Sequence, residues 1–194
     1  HQSRVLRRDD AGVSADDASN LRGRLLAVDY GDRRVGLALS DPLGMIATPL
    51  DAVVRRPGKR PPLAELVRRA EATGARGFVV GLPLDGAGED TPRTLEAREV
   101  AAQLARRTGL PTYLVDERYT TAAALRAIRE MGGTTRGRKG DVDAMAAAVL
   151  LRHALALSDA ALDAASVQPA PATTPEPTPA TPPSDARREH HPTG

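Results

Sequence analysis

The order of apolar segments constrains the fold of this chain more than any other feature of the sequence. Two short apolar runs, Arg24–Tyr30 and Val35–Ser40, are joined by the polar turn Gly31–Arg34, which predicts an antiparallel hairpin. A third run, Ile46–Val54, extends this hairpin into a three-stranded meander. Helical segments and apolar runs then alternate, and such crossovers make the later strands parallel.

Two strands and four helices follow the meander. The strands are predicted over Phe78–Leu82 and Thr112–Val115. The helices are predicted over Pro62–Thr73, Thr91–Thr108, a segment from Thr120 or Thr121 to Met131, and Asp141–Leu157. The order β-β-β-α-β-α-β-α-α is typical of an α/β fold in which helices flank a mixed five-stranded sheet.

Composition divides the chain into three parts. Residues 1–22 are polar and charged without apolar periodicity, which predicts a disordered N-terminal arm. Residues 23–157 carry the pattern described above and are predicted to form one domain. Residues 158–194 are rich in Pro, Ala and Thr, which favours an extended, solvated tail. Such a tail is either a partner-docking segment or a low-complexity extension without a role of its own.

Several classes of protein are excluded by composition. The absence of cysteine excludes thiolate catalysis, disulfides and Cys-type zinc sites, and it suits a reducing cytoplasm. The sequence has no apolar run of about 18 residues and no apolar signal segment at its N-terminus, so we expect a cytoplasmic protein without membrane contact. Between Arg24 and Leu157, 21 basic residues face 16 acidic ones, a balance that is compatible with a nucleic-acid partner without requiring one.

Three acidic residues stand at positions that suit a shared site. Asp29 ends the first strand, Glu117 follows the strand Thr112–Val115 directly after Asp116, and Asp143 lies in the first turn of the last helix. Each has a structural alternative, as a turn former, a loop charge or helix cap, and a partner of the helix dipole respectively. Alternate residues of a strand point to opposite faces, so one of the adjacent acids at 116 and 117 is expected to face Asp29.

A set of carboxylates points to divalent-metal chemistry. Hard cations such as Mg²⁺ and Mn²⁺ take oxygen ligands and complete their shell with water and phosphate oxygens. Metals held in this way activate water and stabilise the leaving oxygen of a phosphodiester. The acids are therefore consistent with a metal-dependent nuclease, although the hairpin around Gly31–Arg34 also resembles the phosphate-cradling hairpin of ATP-dependent phosphotransferases.

Four motifs in order resemble one known family. The segments LLAVDYGDRRVGLALSDPLGMIATPL, FVVGLPLDGAGED, YLVDERYTT and KGDVDAMAAAVLL are similar to those of the YqgF/RuvX family of RNase H-like nucleases, over about residues 24–155. The resemblance implies an RNase H-like fold and a nuclease that depends on Mg²⁺ or Mn²⁺. It also implies processing of the 5′ end of precursor 16S rRNA, with resolution of Holliday junctions as the alternative role.

The resemblance assigns roles to particular residues. It makes Asp29, Glu117 and Asp143 the catalytic, metal-binding acids, with Asp116 as a further metal ligand of second rank. Basic residues near these acids are expected to bind the nucleic-acid backbone. They are Arg33, Arg34 and Arg118, together with Arg136, Arg138 and Lys139 of the glycine-rich segment Gly132–Gly140, for which a plain connector is the alternative.

Different classes of function remain open at this point. The partner is expected to be structured nucleic acid, with precursor rRNA favoured over branched DNA, and the chain is expected to be a monomer or a homodimer. A phosphotransferase needs two such domains around a nucleotide cleft, whereas this chain has one unit of about 135 residues. A non-catalytic nucleic-acid-binding protein on the same fold is the remaining alternative.

Overall fold

A mixed five-stranded sheet forms the centre of the computed structural model, which describes residues 22–56, 58–118, 120–130 and 139–167, with the backbone alone for 126–130 and 139–141. The strands lie in the order β3-β2-β1-β4-β5. β1 pairs antiparallel with β2 and parallel with β4, β2 pairs antiparallel with β3, and β4 pairs parallel with β5. Their bounds are β1 Leu25–Tyr30, β2 Arg34–Ser40, β3 Ala47–Val54, β4 Gly77–Leu82 and β5 Thr112–Asp116.

Helices cover both faces of this sheet. They are α1 Leu63–Thr73, α2 Pro92–Thr108, α3 Thr121–Glu130, α4 Lys139–Ala156 and α5 Asp159–Ala164. The prediction of a mixed five-stranded sheet flanked by helices is therefore confirmed. Within the described ranges, no helix is long and apolar enough to cross a membrane.

Alternating residues of the central strands build two separate cores. In β1, Leu26, Val28 and Tyr30 belong to a core shared with α1 and α2, whereas Leu25 and Ala27 belong to a core shared with α4 and α5. The same alternation holds in β4, where Val79 packs on the side of α4. All six residues of β1 are buried. Any polar side chain in this strand is consequently enclosed between the sheet and a helix.

The C-terminal boundary of the folded unit lies beyond the predicted one. The prediction of an extended tail from Ser158 is wrong for residues 158–167, because these residues form α5 and an antiparallel bridge from Ser166 to Tyr113 of β5. Leu162 is buried, and the Arg22 guanidinium binds the carboxylate of Asp163 at 3.1 Å. The segment thereby pairs with the outer edge of β5, which would otherwise present unpaired backbone groups.

The start of α4 also differs from the prediction. The helix begins at Lys139, two residues before its predicted start at Asp141, so Lys139 belongs to the helix and not to the glycine-rich segment. Arg136 and Arg138 lie outside the described residues.

Packing of α5 can be tested with a pair of leucine variants. Leu162→Ala is expected to lower the free energy of unfolding by about 2–4 kcal/mol, because it removes a buried side chain and leaves a cavity. Leu95→Ala is the matched control, since Leu95 on α2 is 57% exposed and its truncation is expected to cost less than about 0.5 kcal/mol. Equal, small effects in urea denaturation would contradict the packed position of α5.

Candidate active site

Asp29 is placed on the α4 side of the sheet by the alternation of β1. It follows Leu25 and Ala27 on that face, and it is 1% exposed. In the hairpin register it is paired with Gly36 of β2. A charged group at this depth is costly unless other groups compensate it, which makes the position a candidate functional site.

Asp143 is brought to the same face as Asp29, because helix α4 approaches β2 closely at Gly36, the register partner of Asp29. A Cβ atom on Gly36 would lie 2.2 Å from the backbone oxygen of Asp143, so this contact requires glycine. The next turn of α4 presents Ala146 and Ala147, which are fully buried, and their small size allows this close approach. Asp143 itself is 1% exposed.

Glu117 approaches the same region from β5. It continues the alternation of Tyr113 and Val115, which face α4, and its Oε2 lies 3.1 Å from the position of a Cβ on Gly81. Gly81 follows Val80, which is paired with Val28, so the continued register sets it beside Asp29. Gly81 therefore makes room for the Glu117 side chain next to Asp29.

The three acids consequently share one face and one edge of the sheet, with Gly36 and Gly81 as the small neighbours between them. All three are at most 2% exposed. Across the described side chains, however, no three acidic or histidine residues lie close enough to surround one ion by themselves. Substrate or water oxygens would have to complete the coordination of a metal at this site.

Asp116 is held in a different environment from Glu117. Its carboxylate accepts hydrogen bonds from Nη2 of Arg118 at 2.8 Å, from Nε of Arg118 at 3.0 Å and from the Arg118 backbone N–H at 2.9 Å. Partial burial acts to raise the pKa of Asp116, but these hydrogen bonds and the charge of Arg118 outweigh it and hold the pKa below its usual value. Strand alternation sets Asp116 on the face opposite to Glu117, as the sequence predicted.

The predicted basic residues that the structure describes lie at the same end of the sheet as the acids. Arg33 and Arg34 stand at the turn from β1 to β2, with Arg33 exposed and Arg34 half-buried. Arg118 follows β5, and its side chain is 28% exposed. Lys139 begins α4, and its side chain is outside the described part of the chain.

Two arginines that the sequence analysis did not select hold the turn after Asp29. The Arg55 guanidinium stacks 4.4 Å from the centre of the Tyr30 ring and donates to the carbonyl of Gly31 at 3.0 Å. Arg93 on α2 forms an ion pair with Asp32 of the turn. Their partners are distant in sequence, so no local pattern indicates these contacts.

The functional importance of Gly36 and Gly81 could have been detected from the sequence, since an isolated glycine within a strand often marks a close backbone approach.

Comparisons with known proteins identify the family of this chain. The model of the RuvX family, described as Holliday junction resolvase, matches residues 23–157. A protein of Koribacter versatilis (strain Ellin345) named "Putative pre-16S rRNA nuclease" is 42% identical over 136 residues, covering 70% of this chain and 88% of the relative. A protein of the same name from Clavibacter michiganensis subsp. michiganensis is 42% identical over 139 residues, covering 72% and 86%.

A solved structure described as T. thermophilus RuvC in complex with Holliday junction substrate covers 69% of this chain and 93% of that chain, with 18% identity and a TM-score of 0.42. The family match itself spans the complete sheet together with α1 to α4. The chain therefore belongs to the RuvX family.

Proposed function

We propose that this chain is a divalent-metal-dependent nuclease that processes the 5′ end of precursor 16S rRNA in the cytoplasm. The observation that carries the proposal is the convergence of three buried acids, Asp29, Glu117 and Asp143, on one face at one edge of the sheet. Family membership supports the nuclease reaction. The names of the two relatives at 42% identity support the RNA substrate.

The chemistry of the three acids suits Mg²⁺ or Mn²⁺. Carboxylate oxygens are ligands that hard cations prefer. Asp29, Glu117 and Asp143 would supply such oxygens to one or two bound ions, and phosphate and water oxygens would fill the remaining positions. A bound ion of this kind stabilises negative charge on the phosphate and favours ionisation of water. The surrounding core of β1, β4 and α4 keeps the carboxylates fixed, so little rearrangement is needed before reaction.

The arginines at this edge would position the substrate. Arg33, Arg34 and Arg118 lie at the same end of the sheet as the acids, and guanidinium groups bind phosphate through paired N–H donors. The turn that carries Arg33 is fixed by Arg55, whose backbone N–H donates to the Arg33 carbonyl at 2.8 Å. A phosphate-binding role for Arg136, Arg138 and Lys139 stays a prediction from the sequence.

Resolution of four-way DNA junctions is the second candidate, because the matched family is described by that activity. The metal chemistry would be the same, and the substrate would differ. Symmetric cleavage of a junction requires two active sites, so a homodimer would be expected in that case and a monomer would suffice for rRNA. Binding of nucleic acid without cleavage is the third candidate.

One assay separates the three candidates. The full chain would be incubated with 5′-labelled RNA that carries the 16S precursor leader and, separately, with a labelled four-way DNA junction, each in Mg²⁺, Mn²⁺ or EDTA. We expect metal-dependent cleavage of the precursor RNA and no cleavage of RNA that begins at the mature 5′ end. Junction cleavage with the RNA left intact would favour the resolvase, and binding without any cleavage would contradict the proposed nuclease activity.

A further inference from the structure

Arg118 is anchored on two sides. The Asp116 carboxylate accepts hydrogen bonds from Nε and Nη2 of Arg118. Asp116 is the last residue of β5, and Arg118 follows it after Glu117. The third nitrogen, Nη1, lies at Gly88 of the loop between β4 and α2, where a Cβ atom would be 2.7 Å away. The guanidinium can occupy this place because residue 88 has no side chain.

The loop that receives Arg118 is itself well defined. The Asp85 carboxylate accepts hydrogen bonds from the backbone N–H groups of Ala87 at 2.9 Å and Glu89 at 2.8 Å, and Gly88 N–H donates to the Asp85 carbonyl at 3.0 Å. On the other side, the Thr120 hydroxyl donates to the carbonyl of Glu117 and closes the turn that contains Arg118. Arg118 therefore lies between the loop at Gly88 and the hydrogen-bonded carbonyl of Glu117.

We propose that Asp116 is a positioning residue that holds Arg118 beside Glu117 for binding of a substrate phosphate, and that it is not a metal ligand. This inference rests on the proposed nuclease function. A carboxylate that already accepts a bidentate arginine, and that stands on the face opposite to Glu117, is poorly placed to ligate the same ion. A pre-oriented guanidinium loses less conformational freedom when it binds phosphate.

Whether Asp116→Asn weakens or strengthens RNA binding tests the positioning role of Asp116. Removing an acidic charge near a phosphate site normally strengthens RNA binding. If Asp116 positions Arg118, Asp116→Asn should instead weaken binding of the precursor RNA by about 3- to 10-fold, and Arg118→Ala by about 10-fold or more. Binding would be measured by fluorescence anisotropy in EDTA, so neither metal nor cleavage contributes to the result.

A double variant and a matched control complete the experiment. Asp116→Asn in the Arg118→Ala background should have no further weakening effect, because the residue to be positioned is absent. Asp90→Asn is the control, since Asp90 precedes α2, has a similar exposure and pairs at 3.0 Å with Arg98 of that helix. We expect this variant to bind RNA as well as the wild type or more tightly.

Metal dependence distinguishes positioning from ligation. Asp116→Asn should leave the Mn²⁺ concentration for half-maximal cleavage within about 2-fold of wild type and should raise KM more than it lowers kcat. Tighter RNA binding by Asp116→Asn, additive losses in the double variant, or a 10-fold shift in the Mn²⁺ requirement would overturn the inference. If the wild type cleaves no RNA, the proposed function fails, and the binding measurements in EDTA still decide the role of Asp116.

Discussion

Gly36→Ala is expected to reduce cleavage by about 100-fold or more, although residue 36 carries no reactive group. The added Cβ would lie 2.2 Å from the backbone oxygen and 2.8 Å from the carbonyl carbon of Asp143, whereas ordinary contact begins at 3.4 Å. Both atoms belong to the backbone of α4, so the helix has to retreat by about 1 Å. Asp143 moves with it and leaves its position beside Asp29.

The same substitution should lower stability. Overpacking of a close contact typically costs about 1–3 kcal/mol, and urea denaturation measures this loss directly. Gly86→Ala is the matched control, because a Cβ on Gly86 would meet nothing within 4 Å, and its effect on stability should stay within about 0.5 kcal/mol. Gly81→Ala is expected to be intermediate, since its close neighbours are the ends of the Glu117 and Leu150 side chains, which can shift. Full activity of Gly36→Ala would contradict the close approach of α4.

Asp29→Asn and Asp143→Asn are expected to separate activity from stability. Each should lower the rate of RNA cleavage by about 1000-fold, equivalent to about 4 kcal/mol of transition-state stabilisation. Each should change the free energy of unfolding by less than about 1 kcal/mol in the absence of metal, or should increase it. The physical reason is that both carboxylates are 1% exposed, and a neutral amide of the same shape avoids the cost of burying charge.

The control for these variants is an aspartate outside the site. Asp51 on the edge strand β3 is exposed, so Asp51→Asn should retain both cleavage and stability. Cleavage by single-turnover kinetics and unfolding in urea would be measured for all three proteins. A large loss of stability in Asp29→Asn or Asp143→Asn, parallel to the loss of activity, would instead indicate that the acids are structural.

Much of the fold follows from local sequence patterns. The hairpin, the later strands and the helices were predictable because their apolar residues repeat with the period of a strand or a helix. Helix α5 could not be predicted in this way, because its six residues depend on tertiary contacts of Leu162 and Arg22 and stand next to a proline-rich segment. It also begins two residues after the end of the family match at residue 157, so the family pattern gives no indication of it.

Part of the candidate site was also predictable from local sequence patterns. Strand ends and alternation indicated that one of the two adjacent acids, Asp116 or Glu117, could face Asp29, and the family resemblance selected Glu117. The position of Asp143 depends on the contact of α4 with Gly36, a pairing between segments more than 100 residues apart that no local pattern contains. The contacts of Arg55 with Gly31 and of Arg93 with Asp32 are likewise long-range, so their role in fixing the turn becomes visible in the folded chain alone.

Direct measurement of Mn²⁺ binding tests whether Asp29, Glu117 and Asp143 form one metal-dependent site. Isothermal titration would be performed on the full chain and on Glu117→Gln, with a cleavage-resistant analogue of the precursor RNA present. We expect Mn²⁺ to bind the wild-type complex and to bind Glu117→Gln with at least about a 10-fold weaker affinity. Equal Mn²⁺ affinity of the two proteins, together with equal cleavage of the unmodified RNA, would contradict this expectation.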